Sequence, residues 1–406
     1  MEVMRNSMLQ ADSVGLAALS AGLARYLAEE NAGSNLILRI VGARSRVELE
    51  EIVTRMTTGA LEDQSDSGGP RVAFASGIWS DLTQPLKPAF REAVVGKYKA
   101  EASTVDFIND AEAARGQINE WIAQATSNLI GSIFGPGSIT LLTRVVLCNA
   151  MYFKGKWVEP FDKKDTRNKL FHQLDGRTVE VPFMQSWDPQ FMAVHKGFKV
   201  LKLRYQMAQS QGNPSATLRA RSSFNSVSSD RNKRIKVSFM RTQFSMCIFL
   251  PDAHDGLPNL AGMISSRPGF LHEHMPKTMI RRNKIQVPKF KLSFESSIVT
   301  ILKKLGLQLS FGDQADFSHM VEHTESGLPM VLSDVIHKAV IEVTEEGTKA
   351  VAFTMMRIFE GSSQTPSRQP PRVDFVADHP FAYFIVEEAT GAVVFAGHVL
   401  DPSREN

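Results

Sequence analysis

Glu345-Glu-Gly-Thr-Lys-Ala-Val-Ala-Phe-Thr354 is the stretch on which the fold turns. It follows His337-Lys-Ala-Val-Ile-Glu-Val343, an apolar run with strand character, and precedes a Ser-, Gln- and Pro-rich segment from Glu360 to Pro371. In an extended chain alternate residues share a face. Thr348, Ala350, Ala352, Thr354 and Met356 then line one side, and Lys349, Val351, Phe353, Met355 and Arg357 the other. The first side is mostly small, the second bulky and partly charged. Small side chains suit a strand slotted between two existing strands over a crowded core, so the run reads as a loop able to enter a sheet. An ordinary strand followed by a surface loop is the other reading of the same pattern.

Working outward, 406 residues suffice for a large core, and no linker divides them into units with separate cores, so 1–406 reads as a single domain. Apolar residues make up 43% and charged residues 22%, ordinary for a soluble globular chain. A net charge of +3 gives no argument for a nucleic-acid partner. Cys148 and Cys247 each sit in an apolar, strand-like run and fit buried thiols in a reducing compartment. Residues 1–9 lack the apolar core of a signal peptide, and no apolar run is long enough to span a bilayer. The expected location is cytoplasmic or nucleocytoplasmic, with unconventional export as the alternative.

Helical spacing marks Leu9 to Glu29, Asn109 to Ile130 and Glu295 to Leu305. Strand-like runs cover Ser138 to Phe153, Val237 to Leu250, Arg282 to Leu292, Met330 to Val343, Pro380 to Glu387 and Ala392 to Leu400. Helices early and strands late, without regular βαβ alternation, predict an α+β fold. Ser210 to Lys236 stands apart, with seven serines, six basic residues and one acid. Its composition predicts a solvated, disordered insert, with a polyanion-binding or nuclear-import patch as the lesser reading. Catalytic signatures are missing: no nucleophile elbow, no zinc-protease helix, no phosphate-binding loop. His272-Glu-His274 has the wrong spacing to put two ligands on one helix face. The sequence predicts no enzyme, no cofactor and no metal.

Several long motifs, in order, carry a family resemblance. Asn149-Ala-Met-Tyr-Phe-Lys-Gly-Lys-Trp157 resembles the central strand of the serpins, and Phe375-Val-Ala-Asp-His-Pro-Phe381 with Gly391-Ala-Val-Val-Phe-Ala-Gly397 resembles their C-terminal signature, in wording most like the plant members. Val287-Pro-Lys-Phe-Lys291 and Phe244-Ser-Met-Cys-Ile-Phe-Leu-Pro-Asp252 also match. The resemblance implies a serpin fold, with helices packed on a large mixed sheet plus smaller sheets, and an exposed reactive-centre loop at 345–372. It implies a monomeric suicide inhibitor of a target serine protease, with papain-like cysteine proteases as a second class. A non-inhibitory or degenerate serpin-fold binding module remains the alternative. Glu345, Glu346, Gly347, Thr348, Ala350 and Ala352 would form the hinge. Gly347 supplies backbone freedom at the pivot, and Thr348 enters the sheet first, where a charge would be buried unpaired. The family's spacing puts the scissile bond at Gly361-Ser362, with Arg357 and Arg368 as rivals.

The pattern breaks near residues 36–44. The family's next strand and buried helix, with their Ser-rich motif, are missing between Asn35 and Ser45. By resemblance a serine of that motif joins Asn149 and His337 in a polar cluster that gates the sheet, with Trp157 near its top. The deletion therefore leaves Asn149 and His337 without that partner.

Overall fold

The computed structural model describes residues 51, 61–98, 100–208, 243–267, 269–280, 283–297, 299, 317, 320–322, 332–347 and 373–404. The predicted helix at 9–29, the deletion at 36–44, the basic insert at 210–236 and the loop residues Thr348, Ala350, Ala352, Arg357, Gly361, Ser362 and Arg368 lie outside them.

In chain order the strands are β1 (Arg71–Asp81), β2 (Glu101–Val105), β3 (Val145–Lys154), β4 (Arg167–His172), β5 (Thr178–Ser186), β6 (Gln190–His195), β7 (Phe198–Arg204), β8 (Phe244–Pro251), β9 (Met279–Ile280), β10 (Ile285–Pro288), β11 (Phe290–Ser297), β12 (Leu332–Val343), β13 (Phe375–Val376), β14 (Phe381–Glu387) and β15 (Val393–Val399). Helices are α1 (Pro88–Tyr98), α2 (Ala111–Ala125), α3 (Leu257–Ser266) and α4 (Phe270–Glu273). Three sheets result among the described residues, in the orders β11-β12-β3-β1-β2, β13-β10-β5-β4 and β15-β14-β8-β7-β6-β9. The first, the main sheet, positions the site.

At its centre β3 lies antiparallel to β1 on one side and parallel to β12 on the other, with His337 beside Asn149 and Ile341 beside Phe153. One face carries Ala73, Ala75, Trp79, Cys148, Ala150 and Ile336 and is covered by α2 through Ala114, Ile118 and Ile122, spaced four residues apart. Asp110 starts that helix by accepting from the Ala113 N–H at 3.1 Å. Ser127 and Asn128, at φ 51° and 61°, end it. The expected helix to Ile130 is therefore shorter at its C-terminus. The other face carries Met151, Phe153 and Ile341, which join the core shared with the second and third sheets. Phe153 is fully buried, with its ring edge-on to Tyr205, Phe244 and Phe395.

Several expectations need correction. Glu295 to Leu305 does not begin as a helix: Glu295, Ser296 and Ser297 continue β11 and pair with Lys338, His337 and Ile336. Cross-strand pairing overrides helical spacing there. The Arg282 to Leu292 run is two strands in two different sheets, broken at Lys289. The run from Ser138 becomes a strand only at Val145, after a turn closed by Thr143 N–H donating to Thr140 O. Strands are also plentiful early, since β1 to β6 all precede the middle of the chain. Both cysteines are buried and free, and burial pushes both thiols up, Cys247 to about 12.

Candidate functional site at the end of the main sheet

β12 ends at Val343 and the chain turns back. Thr344 N–H donates to Gly347 O at 3.0 Å and Gly347 N–H donates to Thr344 O at 3.1 Å, closing a two-residue turn over Glu345 and Glu346. Gly347 also forms an antiparallel bridge to Lys156, just beyond β3. It therefore stands between the continuations of β12 and β3, antiparallel to both. Its φ is +98°, and an added Cβ would lie 2.6 Å from Lys156 Cα and 2.7 Å from Trp157 N, besides striking Gly155 O. Both the dihedral and the backbone-to-backbone approach require glycine.

Side chains hold this turn from three directions. Trp157, 2% exposed, donates its indole N–H to Thr344 O at 2.9 Å and stacks on Tyr205 at 4.4 Å. Its backbone N–H donates to Glu346 O, and that of Phe161 to Glu345 O. Glu345 accepts from Thr166 Oγ1 at 2.9 Å and pairs with Lys289 Nζ at 3.0 Å. Burial pushes the Glu345 carboxyl up, but hydrogen bonds from its own backbone, Lys289 and Thr166 outweigh burial and hold it below the usual range. Lys163, which pairs with Glu346 at 2.6 Å, is solvent-exposed, so that contact contributes little. Of the predicted hinge residues, Glu345, Glu346 and Gly347 meet here with Trp157. Lys289, Thr166 and Thr344 were not singled out by sequence, although Lys289 lies in a motif that was matched.

Asn149 and His337 form a second centre further along the same seam. His337 Nδ1–H donates to Asn149 Oδ1 at 3.2 Å, so the two are each other's partner. The register sets Ser76 opposite Asn149, and Ser296 opposite His337, so polar residues cross four strands on one line. Burial lowers His337 to about 4, and does the same to His398. Both folded values lie below the unfolded value near 6.5. The unfolded chain then binds more protons between those limits, and stability is lost as pH falls from 6.5 toward 4, by up to about 3 kcal/mol per histidine. His337→Gln keeps a donor for Asn149 and should remove roughly half of that slope in chemical denaturation. An unchanged slope would show that His337 titrates as it does in the unfolded chain.

The main sheet has a parallel β3–β12 seam, and the chain that leaves β12 turns back and bridges at Gly347 beside the end of β3. The chain belongs to the serpin family. The family model described as serpin (serine protease inhibitor) matches residues 16–402. The chain is 45% identical to the serpin-Z8 sequence of Oryza sativa subsp. japonica over 440 residues, covering 100% of this chain and 99% of that one. It is 41% identical to Serpin-ZX of Hordeum vulgare over 354 residues, covering 87% and 80%. Arabidopsis AtSerpin1 in its native stressed conformation superposes with a TM-score of 0.80 at 31% identity, over 100% of both chains. Uncleaved ovalbumin, at 23% identity, TM-score 0.69 and 95% and 92% coverage, shares the fold. The family is one of protease inhibitors rather than enzymes. No helix among the described residues is long and apolar enough to cross a membrane.

Proposed function

We propose that the chain inhibits serine proteases as a suicide substrate, with papain-like cysteine proteases as a second class of target. The observation that carries this reading is Gly347, already bridged antiparallel to Lys156 and Thr344. A protease serine attacks the Gly361 carbonyl, the Gly361–Ser362 amide breaks, and the amine of Ser362 leaves while Gly361 stays as an ester on the enzyme. The freed hinge then zips between β3 and β12 before water cleaves that ester. One parallel pairing is replaced by two antiparallel ones, which are more stable per residue.

Extending the Gly347 register gives this insertion a definite pattern. Thr348 falls between Val343 and Gly155, Ala350 between Ile341 and Phe153, Ala352 between Ala339 and Met151, and Thr354 between His337 and Asn149. The small face therefore meets the buried core, and the last of these parts the Asn149–His337 hydrogen bond. Lys349, Val351 and Phe353 fall on the side covered by α2, with Lys349 beside Glu342. This distribution supports insertion over an inert surface loop.

The test is incubation with trypsin-like, elastase-like and papain-like proteases followed by denaturing gels. The expected result is a band at the summed mass that survives SDS and is absent with catalytically dead protease. The N-terminus of the released fragment should be Ser362; Ile358 or Gln369 would move the reactive bond to the rival Arg357 or Arg368. Clean cleavage without the band would replace this reading with a non-inhibitory serpin-fold binding module.

A further inference from the structure

Beside the second sheet, three segments distant in sequence bring imidazoles together. His254 lies in the loop between β8 and α3, Asp378 and His379 lie between β13 and β14, and His172 ends β4. The ligand atoms of His254, Asp378 and His379 all lie within 4.8 Å of one another. His254 is exposed, with its ring between two others: 4.6 Å from His172 and 4.7 Å from His379. His379 is buried, and its Nε2 lies 2.7 Å from Pro251 O. A carbonyl can only accept, so Nε2 carries a proton. Its other nitrogen, Nδ1, faces Asp378 Oδ1 at 2.8 Å. A proton spans that pair, and a metal ion bound there would displace it.

We propose that His254, Asp378 and His379 bind one divalent transition-metal ion of the zinc class. A ligating histidine held through its other N–H by a backbone carbonyl is the usual arrangement, because it fixes tautomer and ring orientation. Two imidazoles and a carboxylate suit zinc better than magnesium or calcium, which take oxygen ligands. Bonds of ~2.0–2.1 Å in a tetrahedron set ligand atoms roughly 3.3 Å apart. The Asp378–His379 pair at 2.8 Å opens by about 0.5 Å to reach that value, and the exposed His254 ring, within 4.8 Å of both, turns in to meet it. Three protein ligands leave a fourth position open, to water or to His172. Bound metal ties the β8–α3 loop to the chain just past β13, the strand that follows residues 348–372 and pairs with β10 through only Phe375 and Val376. The ion would therefore pin the C-terminal anchor of the loop segment. This site stands whether or not the chain traps proteases.

The experiment is zinc titration by calorimetry of the untagged full-length protein, with cobalt as the visible-absorption probe. One equivalent should bind, with a tetrahedral cobalt spectrum and a raised melting point. His254→Ala removes an exposed ligand without disturbing the core and should weaken zinc at least about tenfold, with Asp378→Asn as a second variant. Zinc should also slow hydrogen exchange at Phe375 and Val376. No binding up to about 1 mM zinc would assign the gap to a proton and overturn the site. Binding and cobalt spectra unchanged in both variants would place the ion elsewhere among the ten histidines and overturn it as well. Zinc binding that left exchange at Phe375 and Val376 unaltered would refute the pinning.

Discussion

Thr348→Arg is expected to leave the chain cleavable but unable to hold its protease. In the register set by Gly347 this side chain passes first between Val343 and Gly155, and Val343 is 1% exposed. An unpaired guanidinium there costs several kcal/mol in desolvation. That cost falls at the first step of insertion, when nothing has yet been gained. The covalent band should disappear, with the protease recovered active and the loop cut. A second readout separates failed insertion from altered cleavage. Inserting a strand of roughly ten residues adds on the order of ten hydrogen bonds at about 1 kcal/mol each. For a chain of this size that raises the melting point of the nicked protein by roughly ten degrees. The nicked wild type should show the rise and the nicked variant should not. A variant that still formed the band would remove Thr348 from the entry point.

Glu345→Lys should have the largest effect on the uncleaved protein. The Glu345 side chain is 5% exposed and paired with Lys289 at 3.0 Å. Reversal puts two ammonium groups against each other and takes the acceptor from Thr166 Oγ1. Removing one partner of a buried pair costs 3–5 kcal/mol; Lys289 is partly solvated, so about 3 kcal/mol is expected here. Glu345→Gln keeps an acceptor and should cost about 1–2 kcal/mol. Urea denaturation measures both, and the double exchange Glu345→Lys with Lys289→Glu should recover part of the loss. A single-variant loss below about 0.5 kcal/mol would mean that the pair behaves as a surface contact.

Much of this was legible in the chain, for physical reasons. The alternation from Thr348 and the glycine before it are local signals, and Gly347 is indeed where φ is positive. β14 and β15 lie within a residue of their expected bounds, because each is a short apolar run fenced by turn residues. β1 left no such mark: nearly every residue from Val72 to Asp81 is buried, so Arg71-Val-Ala-Phe-Ala-Ser-Gly-Ile-Trp-Ser-Asp81 has no polar face to alternate with. The site was half visible. Glu345, Gly347, Asn149, His337 and Trp157 stood out by resemblance. Their partners, Lys289 from β10–β11, Thr166 before β4 and Ser76 on β1, depend on pairings across the sheets that one sequence does not encode locally. His172, His254 and His379 were hidden for the same reason.

Insertion between β12 and β3, as proposed, would have a consequence beyond the single molecule. Backbone pairing reads no sequence, so the seam tells its own segment from a stranger's mainly by the small face and by proximity. The tether presents its own strand at a local concentration on the order of millimolar. At micromolar protein that advantage is about a thousandfold. It would shrink as molecules crowd together, so an opened seam's choice between its own strand and a neighbour's would be one of mass action, set by protein concentration.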